Sequence, residues 1–108
     1  MPSRVIHIDC SKILNNDTFH NEFRDKLGFP SFYGRNMNAW IDCLTYLDDG
    51  MTSINLNPGE TLTLQLNEYK DLKDRCPNLA EAIIECSAFV NWRNIDAGED
   101  PRLIISFD

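Results

Sequence analysis

Apolar positions recur along the chain with two different periods. Val5, Ile6 and Ile8 form a short, largely β-branched run inside Arg4 to Asp9, which predicts a strand. Beyond the polar stretch Asn15, Asn16, Asp17, the residues Phe19, Phe23 and Leu27 recur at a spacing of four, one face of a helix. Asp17 or Thr18 suits its start, and Gly28 falls just past its end. Phe29 to Gly34 is an aromatic-rich loop broken by Pro30 and Gly34. Asn36 is an N-cap type ahead of a second helix expected to reach about Leu47 and to end at Asp48, Asp49 and Gly50. Thr61 to Leu66 alternates polar and apolar residues, so a strand with Leu62, Leu64 and Leu66 on one face is expected. A short third helix is predicted over Glu68 to Cys76, striped by Tyr69, Leu72 and Cys76 and stopped by Pro77. A fourth, capped by Asn78, turns Leu79, Ala82, Ile83, Cys86 and Val90 inward. Asn94 to Pro101 reads as a polar loop. Leu103, Ile104, Ile105 and Phe107 close the chain as an apolar strand expected to be buried on both faces.

The resulting order is β-α-α-β-α-α-β. Strands separated by helical crossovers argue for parallel pairing, since parallel strands need such a connection. The expectation is an α/β fold: one small three-stranded parallel sheet with about four helices. The chain has 108 residues, the length of one domain. No internal repeat or low-complexity tract interrupts it.

Composition narrows the function. Lys and Arg number 10 against 17 Asp and Glu, a net charge of −7. Such a surface repels nucleic acid, whose binding needs cations on phosphates, and favours encounter with a basic protein. Acidity also serves plain solubility, so charge alone names no partner. The four cysteines, Cys10, Cys43, Cys76 and Cys86, form no C-x-x-C pair and are accompanied by His7 and His20 alone. No metal site is expected from that set. The absence of a secretory apolar segment or a membrane-length apolar run implies a cytoplasmic chain with reduced, mostly buried cysteines and no membrane association. The chain carries no glycine-rich phosphate loop and no nucleophile–base spacing, so an enzyme is not expected, and no cofactor is implied.

The second helix is the informative one. At 100° per residue, Ala39, Trp40, Cys43, Leu44 and Leu47 fall on one side, the expected core face. Asn38, Asp42 and Thr45 form an expected exposed ridge, with Ile41 beside it. Phe32 and Tyr33 precede this helix and Asp48 and Asp49 follow it. A rigid helix carrying a carboxylate beside aromatics has the makings of a protein-binding patch.

The run from Phe29 to Thr45 (FPSFYGRNMNAWIDCLT) resembles the signature of the barstar family: an aromatic pair, Gly, Asn, Ala, two large apolar residues and Asp-Cys-Leu. The order of elements is similar to that family's fold as well. The resemblance implies an intracellular inhibitor or immunity protein that occludes the active site of a basic, secreted, barnase-like ribonuclease. It implies that Asp42 enters the enzyme's phosphate-binding centre and takes the place of a substrate phosphate. Phe32 and Tyr33 match the aromatic pair, Gly34 the close backbone approach and Asn36 the cap. Departures are visible. Asn38 stands where the family has a second contact acid, Ile41 stands where it has an exposed Trp, and Phe32 lacks a hydroxyl. The family's fourth-helix acid matches Phe89 or Asn91 equally well. The expected partner-binding set is Phe32, Tyr33, Gly34, Asn38, Ile41, Asp42 and Thr45, on a monomer. The alternative is a domain of the same fold that binds a different toxin or a non-nuclease partner.

Overall fold

The structure, a computed structural model, describes residues 3–47 and 52–108. Strand β1 (Ser3–Asp9) leads through one 3₁₀ turn into α1 (Asn16–Leu27) and α2 (Met37–Thr45). Strand β2 (Thr61–Asn67), α3 (Tyr69–Arg75), α4 (Pro77–Asp96) and β3 (Leu103–Phe107) complete it. The three strands pair in parallel in the order β1-β2-β3. Four helices and a three-stranded parallel sheet are thus what the period analysis predicts. α2 ends at Thr45 with Tyr46 as its C-cap, two residues short of the expected Leu47, and the expected stop residues Asp48, Asp49 and Gly50 lie outside the described residues.

β2 is the central strand, and its Leu62, Leu64 and Leu66 are fully buried. In register with them, Ile6 and Ile8 of β1 and Leu103 and Ile105 of β3 line the same core. On the other face Val5 and Ile104 flank Thr63 and remain about half exposed. β3 is therefore an edge strand, not one buried on both faces. The covered face holds Leu103 and Ile105, while Ile104 points away from it. Phe107 is exposed at the strand end, its ring edge-on to Tyr69 at 4.8 Å.

Other helix boundaries also differ from expectation, for local reasons at α1 and α4. α1 is capped by Asn15, in place of Asp17 or Thr18. Its side chain accepts from Thr18 N while the Thr18 hydroxyl accepts from Asn15 N, a reciprocal capping box. α4 begins with Pro77 in its first turn, preceded by Cys76, and Asn78 is not its cap. Proline is harmless there because the first N–H groups have no intrahelical acceptor. α4 also runs through Asp96, where a loop was expected from Asn94. Its buried line is Ala80, Ile83, Ser87, Val90 and Asn94, and two polar members hide the period from an apolar count.

The end of α1 fixes the segment that returns toward β2. Gly28 is left-handed at φ 65°, and Ser53 N and Oγ both donate to the Leu27 carbonyl, at 3.1 and 3.0 Å. A Cβ on Gly28 would collide with the Ser53 side chain. Glu22 of the same helix is buried; its carboxylate accepts from Asp9 N and from Lys26 Nζ, both at 2.8 Å. That contact ties α1 to the end of β1.

Candidate functional site

The loop from Phe29 to Asn36 sets up α2. Asn36 caps the helix by accepting from Ala39 N at 2.8 Å, and its amide donates to the Gly34 carbonyl at 3.3 Å. Gly34 leaves little room: a Cβ there would lie 3.3 Å from Asn36 Nδ2. Arg35 is left-handed at φ 55°, and its guanidinium reaches back to the Asp17 carbonyl and to Asn21 Oδ1, each at 2.9 Å. The loop is pinned to α1 through this side chain.

The aromatic pair splits. Phe32 is 76% exposed, whereas Tyr33 is only 8% exposed and packs into the core. The Tyr33 ring sits 4.6 Å from Phe29, and its hydroxyl shares a hydrogen bond with His20 Nδ1. Burial raises the Tyr33 pKa above the usual phenol range. Burial first, and then the charge of Arg35, lower that of His20. His20 is thus a buried core histidine whose neutral form is favoured. Of the pair, Phe32 is the one whose ring faces solvent.

On α2, Trp40, Cys43 and Leu44 are buried as the helical wheel predicts, and Leu47, just beyond the helix end, is buried too; the Trp40 ring is edge-on to Phe23 at 5.5 Å. Asn38 and Asp42 are exposed and Ile41 is partly buried. Thr45 departs from the expected ridge: it is buried, and its hydroxyl donates to the Ile41 carbonyl at 2.7 Å. The cause is tertiary, since α4 packs against α2 and Thr45 borders one surface hollow together with Trp92, Arg93 and Asn94. The outer surface therefore carries Phe32, Gly34, Asn38 and Asp42, with Ile41 at its margin, and Tyr33 and Thr45 support it from beneath.

Asp42 does not stand alone. Arg93 of α4 donates from Nη1 to Asp42 Oδ1 at 2.8 Å. The guanidinium carbon also lies 5.4 Å from the centre of the Phe89 ring, a cation–π contact. Phe89 and Trp92 are neighbours, with ring centres 5.7 Å apart, and both are about half exposed. Sequence reasoning named Phe89 as one possible fourth-helix match but missed Trp92 and Arg93. A signal for Trp92 existed: Glu85, Phe89, Trp92 and Asp96 are spaced by four, three and four residues and are all exposed, one acid-aromatic stripe on α4. Of the two candidate matches for a fourth-helix contact, Asn91 is committed to the fold. Its amide donates to the Leu103 carbonyl at 2.9 Å and accepts from Leu103 N at 3.0 Å, clamping β3. Phe89 is the one at the surface.

Among the described residues no three His, Cys, Asp or Glu side chains come together to hold a metal ion. No helix among them is long and apolar enough to cross a membrane.

Comparison with known proteins agrees over nearly the whole chain. Residues 3–105 match the model of a family described as Barstar (barnase inhibitor). Over 68 residues, 63% of this chain and 75% of the relative, it is 38% identical to a Bacillus subtilis (strain 168) protein named "Putative ribonuclease inhibitor YrdF".

Proposed function

The chain belongs to the barstar family, and from that premise we propose that it inhibits a basic ribonuclease by laying the outer face of α2 over the enzyme's catalytic cleft. The observation that carries this reading is Asp42: a carboxylate 53% exposed, on a helix whose opposite side is locked into the core. A ribonuclease binds phosphate with clustered cations. A carboxylate presented on a rigid element can take the phosphate's place with charge-assisted hydrogen bonds and little ordering entropy. Phe32 supplies a ring at one end of the face, Gly34 allows close approach, and Asn38 and Ile41 surround the acid. The net charge of −7 speeds encounter with a basic partner. The role is non-catalytic and needs no cofactor, metal, membrane or nucleic acid. A monomer in the cytoplasm, where it guards the cell against the enzyme, goes with it.

A second reading keeps the fold and changes the partner to another toxin or to a protein that is not a nuclease. The exposed pair Phe89 and Trp92 favours it, because two aromatic rings suit an apolar partner surface better than a phosphate cleft. Titration of the purified chain into barnase cleaving a fluorogenic RNA tests the first reading. Loss of activity at a one-to-one ratio is expected, weakened by Asp42→Ala. Full enzyme activity in excess inhibitor, together with capture of a non-nuclease partner dependent on Phe89 and Trp92, would favour the second.

A further inference from the structure

The ion pair at the centre of the site is formed inside one chain. Asp42 and Arg93 are 51 residues apart, and only the packing of α4 on α2 brings them together. A carboxylate accepting from a guanidinium is the same chemistry by which an inhibitor's acid would grip a cationic catalytic centre. The free protein therefore already holds, at Asp42, a copy of the group that its partner would bring.

The geometry makes that contact exchangeable. It is a single bond from Nη1 to Oδ1, not the two-pronged fork that arginine forms with carboxylates when it binds most firmly. Both side chains are partly open to water, 35% for Arg93 and 53% for Asp42. Arg93 also has somewhere to go, since the Phe89 ring already lies against its guanidinium. Released from Asp42, it can stay on that ring with its charge in solvent.

We infer that Arg93 is an internal competitor and a specificity-determining residue of the Asp42 site: it holds the place of the partner's cation in the free protein and is exchanged for it on binding. The inference rests on the inhibitor reading above. Two effects oppose the incoming cation. Breaking a partly exposed pair shifts an equilibrium by at most about five-fold. A displaced Arg93, if it stays within about 6–7 Å, repels the arriving charge by about a further two- to three-fold in a water-like dielectric. A partner whose cation only grazes Asp42 gains nothing over Arg93. One that offers several cations, or a planar fork, outcompetes it.

Two other roles make opposite forecasts. If Arg93 merely staples α4 to α2, its loss lowers the melting temperature and leaves binding alone. If it orients Asp42 for the partner, its loss weakens binding. The test uses four full-length proteins: wild type, Arg93→Gln, Asp42→Asn and the double variant. Each is titrated into barnase and followed by RNA cleavage, with thermal melts as the folding control. Arg93→Gln is expected to bind about three- to ten-fold more tightly than wild type, and this gain is expected to vanish in the Asp42→Asn background. In the free protein, the Arg93 Nε–H signal in a nitrogen–proton correlation spectrum is expected to move on Asp42→Asn. Equal or weaker binding by Arg93→Gln, or the same gain when Asp42→Asn is also present, overturns the exchange while leaving an inhibitor in place. An unmoved Arg93 signal overturns it as well. If none of the four proteins inhibits barnase, the reading of a barnase-like target fails, and the exchange fails with it.

Discussion

Replacing Asp42 by Ala separates binding from folding more sharply than any other change in this chain. In the folded monomer the substitution removes a single, partly exposed ion pair to Arg93. Pairs of that kind contribute about 0–1 kcal/mol. Alanine returns about 0.5 kcal/mol in helix propensity at a mid-helix site. Asp42 projects away from Trp40, Cys43 and Leu47, so no cavity opens. Net stability should change by no more than about 0.5 kcal/mol, within a few degrees of melting temperature for a chain this size. In the complex the balance is different. The partner's cations are desolvated against Asp42, and alanine leaves them without a counter-charge, which costs about 2–5 kcal/mol, or roughly 30- to 5,000-fold in affinity. Freed Arg93 makes this no milder, because its charge then faces the same cations. Asn38→Ala is the internal control: an exposed neutral side chain on the same helix, worth about 0.5–1.5 kcal/mol if it hydrogen-bonds the partner. Titration calorimetry of both variants against an inhibited ribonuclease, barnase first, gives the affinities, and thermal melts give the stabilities. An Asn38 variant that loses more than the Asp42 variant, or two variants that bind like wild type, would refute the placement of the interface on α2.

Three further expectations concern the scaffold. Gly28→Ala should destabilise the fold by about 1–3 kcal/mol, since φ is +65° and the new Cβ meets Ser53; a denaturant midpoint equal to wild type would contradict the close crossing of that segment over α1. Burial lowers the His20 pKa below its ordinary 6.5. Below that value the unfolded chain takes up a proton that the folded chain does not, so stability is full above about pH 6.5 and is lost as pH falls toward the folded pKa. Melting scans should follow this trend, and a His20 imidazole titrating by NMR at or above 6.5 would rule it out. Burial pushes the Cys10 thiol up to about 12, whereas Cys76 and Cys86 are only partly buried. Ellman's reagent should therefore modify Cys76 and Cys86 well before Cys10 in native protein, and early labelling of Cys10 would mean the 3₁₀ turn opens readily.

What the sequence determined by itself is local. The period of two in Thr61 to Leu66 and the period near four in Phe19, Phe23 and Leu27 are consequences of strand and helix geometry, legible without knowing what lies opposite. Asn36 as a cap and Gly28 as a left-handed stop are backbone chemistry of a few consecutive residues. Helical crossovers between the strands argue for parallel pairing, and the sheet is parallel. The face of α2 that holds Trp40, Cys43 and Leu44 was readable for the same reason, and with it the outward position of Asp42. What only the tertiary structure decided depends on which neighbour covers which face. Thr45 lies on the polar side of its own helix, yet α4 buries it. Phe32 and Tyr33 are adjacent and both aromatic, yet His20 and Phe29 draw one ring inward and leave the other in solvent. The apolar run at β3 reads as a fully buried strand, but the covered side of the sheet is one-sided and β3 is at its edge, so Ile104 stays open. Above all, Arg93 meets Asp42 across 51 residues of chain. A pattern along one helix carries no information about a charge delivered by another, because helix packing, not sequence spacing, sets that distance.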